Sequence, residues 1–577
     1  MRPAALPILL ARLRPEVESG IVALADPLPS YVLFFSVSDG VRRAEVVTVT
    51  APDFATAWRR GTQRVERLVA SRKMTVQFLR VDWVEYAEAM TWRDLQKRLE
   101  VTKRNYFRRG ISLDDKFKHA FLEAELNSNA MLYGGATLAH AVVNQGNFRR
   151  YATIRHGLKD LAFPEEETVW VFSSRGAFAS AGSPDVHLLG GAGLTAGRRI
   201  IDRLTADDVT GLIRRGSAYL ASQVGPQGRF HYGWHPCFDR PIDAYNSLRH
   251  ASTLYAMIEA YEVTRDLQLR QAIDRGLEYL TGVLIKTVER ETASLAFLVD
   301  PSSEIKLGGN AVCLLALAKY SEVTGTDRYL DLLERLALGI LHMQDPETGR
   351  FSHVLLHPTL EVKDEFRIIY YDGEAAFGLM RLYGLTGDAR WLAAVKKAFA
   401  YFMEAGHWKA HDHWLAYCVN ELTRYEPDEQ YYRFGIKNFV DYLDFVIERI
   451  TAFPTLLELM MAAEKMIVRL QGQPEYRHLL DEVDLDKFYR ALETRARHLL
   501  NGHFWPELAM FFANPAKIAG SFFIRHHAFR VRIDDVEHYL SGFVAYLRFL
   551  QEREASNEPA AVDIAGEQPD LLVSAAM

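Results

Sequence analysis

The sequence predicts a mainly α fold: a closed ring of six helical hairpins preceded by a small α/β domain. Three observations predict it. A helix–turn–helix pattern recurs from about Thr205 to Leu550. Strand-like runs are concentrated before residue 110 and in the connections between hairpins. The composition, 49% hydrophobic and 25% charged over 577 residues, is that of a globular chain long enough for a large core and more than one domain. The expected division is an α/β domain at 1–130, a β-rich connector at 131–204, the ring at 205–552 and a disordered tail at 553–577.

Taken in order, MRPAALPILLARLRPEVESG carries a brief apolar patch that Arg12 and Arg14 interrupt too early for a signal peptide. YVLFFSVSDG from Tyr31 and the following RRAEVVTVTA read as two strands across an Asp-Gly turn. PDFATAWRRGTQRVERLVAS from Pro52 is a helix, and TVQFLRVDWVE from Thr75 is another strand. Lys103, Arg104, Arg108 and Arg109 form either an anion site or a solvated charged face. EETVWVFSSRGAFASAGSPDVHLLGGAGL is strand-like and rich in Gly and Ser, and reads as a connector into the ring. After Glu552 hydrophobicity is too low to hold a fold.

The ring is read from the stretch Arg367 to Met403, RIIYYDGEAAFGLMRLYGLTGDARWLAAVKKAFAYFM. Ala375, Leu379, Leu382 and Tyr383 fall at helical spacing. Gly387 stops that helix and Asp388 caps the next. Comparable units begin at Tyr245, Gly308, Ala410, Phe453 and Ile533, and the helix from Thr205 can partner the last and close the ring. One hairpin cannot bury its own apolar face, so neighbours stack. Turns such as TGTDRY and TGDARW are short, whereas the connections entering each first helix are long. Long connections at one end build a cleft over the inner-helix N-termini.

The residues at those N-termini are candidates for chemistry. They are Tyr245, Asn246, Arg249 and His250; Asn310; Tyr371, Asp372 and Glu374; His411, Asp412, His413 and Trp414; Thr455 and Glu458; and Asp534, Asp535 and His538. Trp234, His235, His527 and Arg532 come from the adjoining connections. Asp, Asn and Thr there also serve as caps. Glu374, His250 and the HDHW stretch add titratable groups beyond a cap. Asp372, Glu374, Asp412, His413 and His250 are the expected catalytic set; Trp234, His235, Tyr245, Asn246, Arg249, Asn310, Tyr371, His411, Trp414, His527, Arg532, Asp534 and Asp535 are expected to bind substrate. Asp372 and Glu374 diverge by about 200° on a helix, so Asp372 is expected to reach the cavity from the loop and Glu374 to sit deeper. Asp412 and His413 are expected from the side, and His250 from the opposite wall. In such a pocket one carboxyl should keep its proton. The two histidines of HDH, at i and i+2, do not face one metal, and no CxxC or HExxH spacing exists, so neither metal nor cofactor is expected.

The hairpin repeat, with its LTGD-type turns and polar inner-helix starts, resembles the (α/α)6-toroid superfamily of six-hairpin glycosidases, glucuronyl hydrolases and N-acylglucosamine 2-epimerases. The resemblance covers about Thr205 to Leu550 and rests on architecture. It implies a carbohydrate-active enzyme, a hydrolase, lyase or epimerase of polysaccharide metabolism. Aromatic faces and paired carboxylates suit a saccharide. Arg249, Arg367, Arg525 and Arg532 suit an acidic one. A non-catalytic saccharide-binding protein is the alternative. A net charge of −6 argues against nucleic acid. Cys237, Cys313 and Cys418 match no disulfide framework, and no apolar run spans a membrane, so a cytoplasmic protein is expected. Oligomeric state is not legible.

Overall fold

A computed structural model describes residues 5–555, apart from residue 292. Seven antiparallel strands open the chain: β1 (Tyr31–Ser38), β2 (Glu45–Ala51), β3 (Phe78–Thr91), β4 (Gly110–Ser112), β5 (Ala120–Phe121), β6 (Thr168–Ser180) and β7 (Val186–Leu189). Their order is β2-β1-β3-β6-β4-β5, with β7 beside β6. β1 is apolar nearly throughout because both its faces are covered. Leu33, Phe35 and Val37 meet the helices Ala5–Gly20 and Phe54–Arg72. Val32 and Phe34, one residue out of phase, join Met510 and Phe511 of the ring. Gly61 allows the second helix to lie close, since a Cβ there would fall 2.1 Å from the Phe35 ring.

The segment 131–204 is no separate connector. β6 pairs with β3 along its whole length and lies inside the same sheet. Its sequence reads as a loose β-rich link because its partner lies about eighty residues earlier in the chain. The N-terminal apolar patch, left unassigned by sequence, is the helix Ala5–Gly20, seated on the sheet through Leu6, Leu9, Leu13 and Val17. The tail expected to be disordered lies outside the described residues beyond Ala555; Arg553 to Ala555 end the last helix.

From Thr205 the chain forms two concentric layers. The inner helices are Ser247–Thr264, Leu307–Thr324, Tyr370–Thr386, His413–Tyr425, Thr455–Gln471 and Ile533–Ala555, called the first to sixth. Each packs on the next, and the sixth returns to the first. The ring is closed. The outer helices are Ala206–Gln223, Leu267–Tyr279, Leu330–His342, Ala389–Ala405, Glu429–Lys437 and Leu485–His498. They bury one stripe each, whereas the second inner helix is buried on every side from Leu307 to Ser321. The architecture is an (α/α)6 toroid.

Inner helices end on left-handed residues such as Gly325 and Gly387, followed by short turns. The opposite end carries the long connections. These form small sheets, among them Gly233–His235 with Arg240–Pro241, and Glu304–Lys306 with Val354–Leu356 and Val362–Asp364. No helix among the described residues is long and apolar enough to cross a membrane. The three cysteines are free and buried.

The N-terminal sheet docks on the connection before the sixth inner helix. Glu507, fully buried, accepts Arg199 Nε at 2.7 Å and Nη2 at 2.8 Å, and its carbonyl accepts Arg80 Nη1 at 2.8 Å. Ala44 N–H donates to the Met510 carbonyl at 2.7 Å. Breaking a buried pair leaves one charge uncompensated, which costs about 3–5 kcal/mol. Glu507→Ala is therefore expected to lower unfolding free energy by that order in urea titrations. A loss below about 1 kcal/mol would show that the pair does not join sheet and ring.

Candidate active site

Helix geometry decides what each mouth residue faces. Glu374, just past the first turn of the third inner helix, points into the ring. It packs on the second inner helix at Gly308, where a Cβ would fall 1.8 Å from Glu374 Oε2. That oxygen is buried and has no hydrogen-bond partner. Burial, reinforced by the nearby Asp412, pushes the carboxyl well above the usual carboxylate range.

Opposite it lie the fourth, fifth and sixth helices. His538 Nδ1 sits 2.8 Å from Glu458 Oε2, and His538 Nε2 lies 3.8 Å from Glu537 Oε1. Burial works against charge on His538, but Glu458 and Glu537 outweigh it and raise the imidazole to about 10. His413 lies beside this pair, its ring centre 5.5 Å from that of His538. Its Nδ1 is 3.2 Å from Asp412 Oδ1, while its Nε2 is buried without a hydrogen-bond partner, 4.0 Å from Glu458 Oε2. Glu537 accepts Ser252 Oγ at 2.6 Å and Thr253 Oγ1 at 2.9 Å from the first helix. Burial lifts its carboxyl to about 8, with His538 opposing. Tyr370 stacks edge-on to His413, and Tyr417 reaches Glu458 at 3.4 Å.

The interior thus combines a carboxyl that burial pushes towards its neutral form, Glu374, with an imidazole that Glu458 pushes towards its cationic form, His538, and an imidazole with an unpartnered nitrogen, His413. His413, Glu458 and His538 also place three donor atoms within 4.8 Å of one another, a spacing a divalent ion accepts. The 2.8 Å contact between His538 and Glu458 is a hydrogen-bond distance that completes the pair as an ion pair. The HDH spacing could not reveal this cluster, because its other two members come from helices far along the chain.

Several expected site residues face elsewhere. Asp372 turns outward and does not reach the cavity: its Oδ2 lies 3.3 Å from His353 Nε2 and 3.4 Å from His407 Nε2. Burial opposes ionisation there, yet the two histidines hold the carboxyl below its ordinary value. His250 is a core residue and no opposite wall. Tyr245 Oη lies 2.7 Å from its Nδ1, and the Gly276 carbonyl of an outer helix lies 3.0 Å from its Nε2. Burial holds it down at about 4. Asp412 caps the fourth helix through the Trp414 and Leu415 N–H groups, and Asn246 caps the first. Asn310 is spent on Leu298 N–H and the Lys306 carbonyl. His411 stacks on Tyr442 at 4.1 Å, and Trp414 packs between helices against Phe377 and Tyr417. Tyr371 lies against Gly308 and His353.

At the seam between first and sixth helices, Asp534 takes Arg249 at 2.8 Å and Arg532 at 2.9 Å, while Asp535 takes Arg532 at 3.0 Å and Arg530 at 3.1 Å. His527, half-buried, lies tilted against His526, ring centres 4.5 Å apart. Trp234 and Tyr245 line a different cavity outside the ring, and His235 follows Trp234 on the same short strand. Sequence reasoning missed Glu537 and the His353 and His407 partners of Asp372. The adjacency of Glu537 to His538 in the first turns of the last helix was the available signal.

No protein-family model and no curated protein matches the chain. Solved structures similar to this chain include a D-mannose isomerase at 11% identity and TM-score 0.43, covering 60% of this chain and 97% of that one. A cellobiose 2-epimerase from Bacillus thermoamylovorans gives 12% and 0.46, covering 59% and 100%. An unsaturated glucuronyl hydrolase specific for heparin gives 11% and 0.44, covering 60% and 98%. At this identity and TM-score they carry nothing about activity.

Glu537 and His538 fix the sign of a pH effect. Both bind protons more tightly folded than unfolded, so their stabilisation is complete at low pH and lost as pH rises. For Glu537 the loss runs from its ordinary value near 4.5 up to about 8. For His538 it runs from 6.5 to about 10. Melting temperature is expected to fall from pH 6 to pH 9. Glu537→Gln should flatten the part of the curve below pH 8. A wild-type curve that rises over this range would contradict the assignment.

Proposed function

We propose that the protein is a carbohydrate-active enzyme whose chemistry is proton transfer at the ring mouth, with a sugar epimerase or isomerase as the reading best supported. The observation that carries it is the neighbouring imidazole pair: His538 is held cationic by Glu458, and His413 offers an unpartnered Nε2. Removing a proton from a carbon next to a carbonyl needs a base at the carbon and an acid at the oxygen. Two imidazoles side by side, one protonated, can address adjacent atoms of one sugar. Glu374, uncharged, is a second proton donor, and it supports glycoside hydrolysis as the second reading, in which a neutral carboxyl protonates the leaving oxygen.

Solvent deuterium separates the two. Mono- and disaccharides with a free reducing end, incubated with the protein in D2O and followed by NMR, should gain deuterium at the carbon beside the carbonyl. His413→Asn should lower that rate about 10²–10⁴-fold, the usual contribution of a general acid or base, with its unfolding curve little changed; His538→Asn should lower it likewise, at a cost in stability because it leaves Glu458 buried without its cationic partner. New reducing ends without carbon-bound deuterium would replace the epimerase reading by hydrolysis. Binding without any turnover would make the protein a saccharide-binding module.

A further inference from the structure

The ring interior leaves one built feature unused. A cavity of about 1130 Å³ opens between the outer helix Ala206–Gln223, the hairpin that leads into the first inner helix, and the connection 506–520. It exceeds the roughly 300–1,000 Å³ of ordinary small-molecule pockets, so it has room for several sugar rings. Arg215, Arg229 and Lys517 lie on its wall. Arginines at the ring mouth are consumed by carboxylates: Arg249 and Arg532 by Asp534, Arg367 by Glu304, and Arg525 partly by Glu123. The arginines expected from sequence to hold an acidic substrate are therefore already neutralised.

The cavity cations are different. Each is poised on an aromatic face and none has a carboxylate at ion-pair distance among the described residues. Lys517 Nζ lies 3.8 Å from the centre of the Trp234 ring, the Arg229 guanidinium 4.2 Å from Tyr245, and that of Arg215 5.4 Å from Trp505. A cation–π contact holds the charge in place while leaving its N–H donors free. One carboxylate, the exposed Asp243, lies on the lining. The wall is continuous with the ring mouth. Tyr232 lines the cavity, and its hydroxyl accepts from Arg249, which pairs with Asp534. Gly233 of the same wall pairs with Arg532.

We infer that this cavity is a binding site for an anionic saccharide segment, carboxylated or sulfated, lying beside the ring mouth. The inference rests on the saccharide reading of the protein, but its test is independent of turnover. An oligouronate hexamer, a sulfated hexasaccharide, a neutral cello-hexamer and a nucleoside diphosphate are titrated by calorimetry into wild-type protein, into Arg229→Gln/Lys517→Gln, and into His538→Asn. Wild type should bind the oligouronate or the sulfated chain, more weakly as salt is raised, and the neutral chain at least tenfold less tightly. The cavity double variant should lose about tenfold in affinity, the size of 1.4 kcal/mol. His538→Asn should bind as wild type does, so that a failure of the catalytic reading leaves this result standing. Both altered cavity residues are exposed and make no ion pair among the described residues, so the double variant should fold, which its circular dichroism spectrum would check. Equal binding of neutral and anionic chains, unchanged affinity in the double variant, or preference for the nucleoside diphosphate would each overturn the inference.

Discussion

Closure of the inner ring is the constraint on which the rest depends. Six helices that contact each other on both sides, with an outer layer behind, leave their inner turns little contact with water. Every polar group placed on their inner turns must then be paired or neutral, because an isolated buried charge costs far more than the fold can supply. The observed chemistry follows from this rule. His538 is charged because Glu458 lies at 2.8 Å. Glu537 is tied down by Ser252 and Thr253. Glu374, whose buried Oε2 has no such partner, is pushed by burial towards its protonated form. Gly308 belongs to the same logic, since only its missing side chain lets the third helix bring that carboxyl inside.

Much of the fold was legible because repetition amplifies weak signals. The hairpins, short turns and long connections could be read from periodicity and Gly–Asp punctuation alone. The N-terminal sheet was less legible. β3 and β6 are separated by a long excursion, and no local pattern announces that they pair along their full length. The helix Ala5–Gly20 escaped because its apolar stripe is interrupted by arginines, one of which, Arg12, reaches the Ser180 carbonyl at 2.7 Å.

The candidate site was legible as a place and much less as a set of roles. Position at an inner-helix start located Glu374, His413, Glu458 and His538 together. Sequence could not give the rotation of each helix. Asp372 and Glu374 diverge as helical geometry requires, but it is Asp372 that faces outward, towards histidines from two connections invisible in the local sequence. His250 turned the same way, towards an outer helix. Asp412 shows that a cap and a catalytic candidate share one sequence signature. The arginines at the mouth were misread for a related reason: their carboxylate partners lie on neighbouring helices, while the cations that remain free stand outside the ring.

The chemistry of the ring interior depends on one protonation state. A protein labelled with ¹³C-glutamate, measured by infrared difference spectroscopy against Glu374→Gln, reports that state without any substrate. The predicted result is the carbonyl band of a protonated carboxylic acid at neutral pH, absent from the variant. A spectrum in which Glu374 contributes only carboxylate bands at neutral pH would contradict the claim that ring closure holds an uncharged acid beside the His538–Glu458 pair.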